Sequence, residues 1–393
     1  MRPLRVMFIA GEPSGDMLGA ELITALKASH PAGVECFGAG GPKMLAAGFR
    51  LDLDLAAHAV VGIVEVLKNY RKFKGFFDQL INLAVQEKPD AVVLIDYPGF
   101  NLRFAKRLRE LAQEGACCPA ARAMASRSGP GIVYYVSPQI WAWHESRVTQ
   151  IARDIDLLLA IFPFERAWYQ QRVPKFRVEF VGHPLVDRYA HLPAPAPQRG
   201  TPAVTLLPGS RVRELRKHLP AMLAAAEQMQ AQMPLDLRLI LPNQSLLELA
   251  REIMTDVQSK LPQSILQVGG LAERLRCSNV AIASSGTVTM ECAYFGVPTV
   301  VLYRTSWSTY TLGKRFIKTK YLAMPNLLAG KEIYPEFIQH AATPENLASA
   351  ALRFLREPAA AEQARADLET VIASLGEKGA SHRAARAVLD LLR

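Results

Sequence analysis

Short, unbroken apolar runs recur along the chain, each ended by glycine, serine, proline or a charged residue and followed by a stretch with helical spacing. Such runs lie at residues 5–10, 34–37, 91–96, 132–136, 157–161 and 178–181, and again at 203–207, 237–241, 265–268, 280–283 and 299–302. A strand that is apolar at every position, not at alternate ones, is covered on both faces. Alternation of such strands with helices predicts parallel sheets. Residues 191–202 (HLPAPAPQRGTP) interrupt the alternation with four prolines and no periodicity, which reads as a linker. The sequence therefore predicts an α/β protein with two doubly wound, Rossmann-like domains facing a cleft at the C-terminal ends of their strands. The expected division is 1–190, a linker at 191–202, a second domain at 203–342, and a helical, alanine-rich segment at 343–393 that packs back or is exchanged in a dimer.

Composition narrows this picture in three ways. A chain of 393 residues exceeds one ordinary domain. Its longest apolar runs fall well short of the roughly 20 residues that cross a bilayer, and the apolar start of MRPLRVMFIAGE leads straight into Gly11, as a first strand does and a signal peptide does not. Five cysteines without C-x-x-C spacing speak against a disulfide framework and a zinc site. The net charge of +10 favours an anionic partner, and because the basic residues are dispersed, nucleic acid is the weaker choice beside nucleotide phosphates or acidic lipid.

Candidate chemistry sits where strands end. The run at 280–283 breaks at Ser285-Gly286-Thr287 before a helix that carries Glu291. A helix start beside a glycine/serine/threonine turn offers backbone N–H groups and a dipole to a phosphate, while Glu291, farther along, can reach a ribose diol. The alternative is a helix capped by Ser285 with Glu291 in solvent. Gly209, Ser210 and Arg211 form the first strand-to-helix turn of the second domain and add a fork-shaped cation, so a pyrophosphate site is expected there. In the first domain, the turn Gly11-Glu12-Pro13-Ser14-Gly15-Asp16 has two acidic residues and suits a sugar or an amine better than a phosphate. It is not G-x-G-x-x-G, so a dinucleotide is not expected. Asp96 ends a buried strand beside Tyr97-Pro98-Gly99-Phe100-Asn101, a good place for a general base and equally for a turn-stabilising aspartate. Trp141 and Trp143 end a neighbouring strand and can wall a sugar or an acyl chain. The D-x-D pairs at 52–54 and 154–156 lack a cation-holding context, so neither a metal nor a cofactor is called for. Residues 60–83 carry more apolar side chains than one core contact needs, among Lys68, Arg71, Lys72 and Lys74. Val64, Val66, Leu67, Tyr70 and Phe73 are accordingly expected to meet a membrane surface, against the simpler reading of a core-facing amphipathic helix. Residues 307–321 are a weaker second candidate for the same role.

Eight words in chain order resemble lipid-A-disaccharide synthase, a bacterial inverting glycosyltransferase family of GT-B architecture. They are GEPSGD at 11–16, GIVEVL at 62–67, IDYPGFN at 95–101, YYVSPQIWAW at 134–143, GHPL at 182–185, LLPGSR at 206–211, SGT with its downstream glutamate at 285–291, and MPNLLAG at 324–330. The resemblance implies transfer of 2,3-diacylglucosamine from UDP to 2,3-diacylglucosamine 1-phosphate, giving the disaccharide 1-phosphate and UDP. It implies that Asp96 is the base, that Arg211 meets the UDP phosphates and that Glu291 meets the ribose. Asn326 would lie near the nucleotide, and Glu12, Ser14, Gly15, Asp16 and Asn101 would lie on the acceptor side. It also implies peripheral attachment to the cytoplasmic face of the inner membrane and a homodimer that exchanges C-terminal segments. Residues 115–131 form an insertion beyond the family's pattern. The rival readings are a UDP-N-acetylglucosamine epimerase of the same architecture and a non-catalytic basic protein that binds membrane or nucleic acid.

Overall fold

The computed structural model describes residues 2–58, 70–114, 129–194, 200–305 and 319–393. The chain divides into two compact units, Met1–Asp187 together with Leu375–Arg393, and Arg188–Ser374. Among the described residues the first unit is built on strands β1 (Leu4–Ala10), β2 (Val34–Gly40), β3 (Arg50–Asp54), β4 (Ala91–Ile95), β5 (Gly131–Tyr135), β6 (Leu157–Ala160) and β7 (Arg177–Phe180). All pair in parallel, in the order β3-β2-β1-β4-β5-β6-β7. The order reverses between β1 and β4, whose residues Val6–Ala10 and Ala91–Ile95 have no exposed surface. A crevice opens beyond the C-terminal ends of strands at such a switch point.

The second unit repeats the plan with β8 (Ala203–Leu207), β9 (Asp236–Leu241), β10 (Leu266–Val268), β11 (Val280–Ser284), β12 (Thr299–Tyr303) and β13 (Glu336–Ile338), ordered β10-β9-β8-β11-β12-β13. Its switch point lies between β8 and β11, with Leu207 opposite Ala283. Every strand read from an apolar run is present. The sequence reading lacked β3 and β13, and both are edge strands whose residues stay partly exposed, so neither needs a continuous apolar run.

Helices Pro344–Arg356 and Pro358–Ser374 bury Leu347, Leu352, Leu368 and Val371 in the second unit's core. The last helix, Ala380–Leu391, packs instead on Pro13–Ser29 of the first unit. Its buried Ala380, Ala384 and Ala385 let the two helices approach closely. Arg383 ties this tail to the end of β7, donating to the carbonyls of Val181 (2.8 Å) and Lys378 (2.7 Å). Leu192 packs on the second unit's core, and Pro193 accepts from Arg276 at 3.0 Å, so the chain crosses between units ahead of the proline-rich stretch.

Of the residues expected at a membrane, Val64, Val66 and Leu67 lie outside the described residues, as does the side chain of Tyr70. Phe73 lies in the first turn of a helix, Tyr70–Glu87, and packs partly buried against the first unit's core with Phe76 and Phe77. Phe77 sits between Phe100 and Phe104, at 5.4 and 5.7 Å between ring centroids. Most of residues 307–321 are likewise outside the described residues.

Candidate active site

In the second unit the two turns singled out by sequence follow β8 and β11, adjacent strands at the switch point. Gly209 has φ +121°, and a Cβ there would lie 2.4 Å from Glu214 Oε2, so only glycine fits. Glu214 folds back over the turn, accepting from the Ser210 N–H at 3.0 Å and from Arg211 Nη1 at 3.1 Å. Both donors are thus engaged by the chain's own carboxylate, whose place an incoming anion would take. Beneath it the buried His218 ring lies 2.9 Å from the Pro208 carbonyl at Nδ1 and accepts from the Arg304 N–H at Nε2, 3.1 Å away. Burial pushes the His218 pKa down, and in the neutral ring an Nδ1–H donating to Pro208 leaves Nε2 to accept from the Arg304 N–H, with the Arg304 carbonyl 3.2 Å from the same nitrogen. His218 thereby joins the β8 turn to the end of β12.

Ser285, Gly286 and Thr287 lead into the helix Val288–Tyr294 with Thr287 as its N-cap. Thr289 fixes the turn by donating through Oγ1 to the Gly286 carbonyl at 2.7 Å. Among the described residues nothing lies within 4 Å of a Cβ built on Gly286, an exposed glycine. Glu291, in the helix's first turn, accepts a 2.6 Å hydrogen bond from the Tyr189 hydroxyl.

Asn326 occupies a different kind of place. It is fully buried, its Oδ1 accepts from Ile333 N (2.8 Å) and Tyr334 N (2.9 Å), and its Nδ2 donates to Tyr334 O (2.7 Å) and Glu336 Oε1 (2.8 Å). Two donors and two acceptor sites are all an amide has. Asn326, expected near the nucleotide, thus braces the helix Met324–Ala329 against β13.

In the first unit, the turn after β1 meets the turn after β4. Gly11 lies so close to Tyr97 that a Cβ would stand 2.5 Å from the ring. Asp96 and Tyr97 both take left-handed backbone, φ +45° and +51°, and Val136 at the end of β5 does so at +71°. Non-glycine residues held in this region cluster at functional sites. The Asp96 peptide is held from three sides. Its N–H donates to Tyr135 O (3.0 Å), and its carbonyl accepts from Tyr134 Oη (2.6 Å) and Asn101 Nδ2 (2.8 Å). Asn101 has no exposed surface and also donates to Ile95 O at 3.1 Å, so its Nδ2 braces the Asp96 turn. Asp16 is likewise buried and accepts from Lys43 N (3.0 Å) and Met44 N (2.9 Å), capping the helix Pro42–Ala46. Its place is behind the turn, where Gly41 leaves room for it. Gly15 is buried behind the turn as well, whereas Glu12 and Ser14 keep some exposed surface. Burial, then the charge of Glu12, raises the Tyr97 phenol.

Glu165 was not visible to sequence reasoning. Its fully buried carboxylate accepts from Trp141 Nε1 (3.2 Å) and Phe162 N (3.2 Å) below the loop after β5. Burial pushes its pKa up to about 7 against these hydrogen bonds. The aspartates of the D-x-D pairs have local work: Asp52 accepts from Gly38 N, Asp54 from Ala57 N and Asp156 from Ile132 N, and Asp154 pairs with Arg153.

A family model described as lipid-A-disaccharide synthetase matches residues 6–390. The chain is 38% identical over 400 residues to the lipid-A-disaccharide synthase of Geobacter sulfurreducens, covering 99% of this chain and 97% of that relative. It is similar in structure to the glycotransferase of kitacinnamycin, at TM-score 0.59 and 18% identity, with all of both chains covered. A UDP-GlcNAc 2-epimerase from Neisseria meningitidis bound to UDP-GlcNAc aligns at TM-score 0.63 and 12% identity, over 99% of this chain and 100% of that one. Likeness at such identities speaks to the fold, which is that of GT-B glycosyltransferases.

Proposed function

Because the chain belongs to the lipid-A-disaccharide synthase family, and is thus a glycosyltransferase of lipid A biosynthesis using a UDP-sugar and a sugar phosphate, we propose how its residues divide that reaction. Asp96 takes the proton from the acceptor's 6-hydroxyl as that oxygen attacks the anomeric carbon of UDP-2,3-diacylglucosamine. The new C–O bond forms as the bond to the diphosphate breaks, with inversion, and UDP leaves carrying the electron pair. Arg211, the N–H groups of Gly209 and Ser210, and the Ser285-Gly286-Thr287 turn take up the charge on the departing diphosphate. Glu291 reads the ribose. Glu12 and Ser14 face the acceptor, while Asp16, Gly15, Asn101 and Asn326 hold their turns in shape.

The observation that supports this most directly is the strained Asp96–Tyr97 pair at the C-terminal end of β4, fixed from behind by Tyr134 and Asn101. Asp96→Asn is expected to fold normally and to lose roughly 10²–10⁴-fold in turnover. The assay uses labelled UDP-diacylglucosamine with and without diacylglucosamine 1-phosphate. Turnover near the wild-type rate in the variant removes Asp96 as the base, and a changed sugar without acceptor makes the chain an epimerase.

We also propose that the segment containing Val64, Val66, Leu67, Tyr70 and Phe73 docks on the inner membrane's cytoplasmic face. Support comes from exposed Arg71, Lys72 and Lys74 at the start of the helix Tyr70–Glu87. Among the described residues no helix is long and apolar enough to cross a membrane. A homodimer exchanging Ala380–Leu391 would keep each contact that helix makes with Pro13–Ser29.

A further inference from the structure

Glu291 is a useful ribose ligand only if its carboxylate is held in one place before the nucleotide arrives. We propose that Tyr189 is the positioning residue that fixes Glu291 for the ribose diol, an inference that rests on the reading of Glu291 given above. The geometry has three parts. The hydroxyl of Tyr189 donates to Glu291 Oε1 at 2.6 Å, the short distance of a bond to a charged acceptor. The Tyr189 ring packs against Tyr294 and Phe295, with centroids 5.5 and 5.0 Å away. Those two residues stand three and four positions after Glu291, on the same helical face. One ring therefore lies along the ridge that carries the carboxylate, and its hydroxyl meets the carboxylate at the ridge's start.

The phenol stays a donor throughout the physiological range, because burial and the adjacent carboxylate both raise its pKa. A carboxylate has about four acceptor sites, so one bond from a phenol is compatible with two more from a 2′,3′-diol. Pre-ordering of this kind acts on binding by reducing what must be immobilised when the ligand arrives. Tyr189 should then affect recognition of the ribose hydroxyls and leave the reacting atoms alone.

Tyr189→Phe removes the hydroxyl and keeps the ring on Tyr294 and Phe295. The probes are UDP and 2′-deoxy-UDP, bound to the full chain and measured by calorimetry, with donor KM and kcat alongside. Wild-type protein should prefer UDP by about tenfold, the discrimination expected when one hydrogen bond to a charged group is lost. In Tyr189→Phe the preference should shrink to about twofold, UDP losing severalfold more affinity than 2′-deoxy-UDP, which keeps only its 3′-hydroxyl on Glu291, with kcat and melting temperature nearly unchanged. An undiminished preference in the variant overturns the positioning role, and tighter UDP binding overturns it by showing that Tyr189 competes with the ribose. Equal binding of the two nucleotides by wild-type protein removes the Glu291–ribose reading itself, whatever the variant does.

Discussion

Glu165 and His218 place titratable groups under the two candidate sites, and burial moves both toward neutrality. For Glu165 the folded pKa of about 7 lies above the ordinary carboxyl value of 4.5. Between those values the native state holds a proton that the unfolded chain has released, so stability falls as pH rises through that window and is level above it. The loss is at most about 3 kcal/mol, at 1.36 kcal/mol per unit. Glu165→Gln cannot titrate, so the stability of wild type minus variant should decline from pH 4.5 to 7 in urea titrations. A difference that stays flat across the window refutes the buried, protonatable carboxyl. Residues of this kind were illegible in sequence for a physical reason. Glu165 looks like an ordinary third-position helix glutamate, and Tyr189 meets Glu291 across a separation of 102 residues. Arg211, Ser210 and Asp96 could be read because strand, turn and chemistry were contiguous. Asp16, Asn101 and Asn326 belong to the same contiguous words, but a word does not separate a residue that touches a ligand from one that braces the turn that does.

Among elements, the two turns proposed to meet the nucleotide contain glycines that look alike in sequence and differ in cause. Gly209 is required by left-handed backbone and by Glu214 folded against it, whereas Gly286 has ordinary backbone and open space around it. Gly209→Ala should therefore cost stability, about 1–3 kcal/mol, and weaken UDP binding. Gly286→Ala should leave the melting temperature within a degree or so of wild type while reducing UDP affinity severalfold, because its added methyl meets only the ligand. Equal stability losses in the two variants, or undisturbed UDP binding in Gly286→Ala, would contradict this division. The strands carrying these turns were plain in the sequence because a central parallel strand is apolar throughout. The edges were not: β3 reads Arg-Leu-Asp-Leu-Asp and β13 has three residues.

For the molecule as a whole, the net charge of +10 is consistent with the proposed docking on an acidic surface. Arg71, Lys72 and Lys74 are exposed on a helix whose Phe76 and Phe77 pack against the core, and reversing their charge keeps that apolar packing while giving up the contact of Lys72 Nζ over the Phe76 ring, 5.6 Å from its centroid. Changing all three to glutamate should weaken co-sedimentation with anionic vesicles by well over tenfold, at about 1 kcal/mol per basic residue near the surface, and leave neutral vesicles unaffected. Unchanged sedimentation with anionic vesicles moves the docking face elsewhere.

The double crossing at Asp187/Arg188 and Ser374/Leu375 bears on the order in which the protein is made. Domains usually mature on the ribosome in the order of their synthesis. Here the unit translated first lacks the helix that covers Pro13–Ser29 until Leu375–Arg393 has left the exit tunnel, whereas Arg188–Ser374 is continuous and can close its core sooner. The half begun earlier is finished last, and until then the flank of Pro13–Ser29 that Ala380–Leu391 covers stays open.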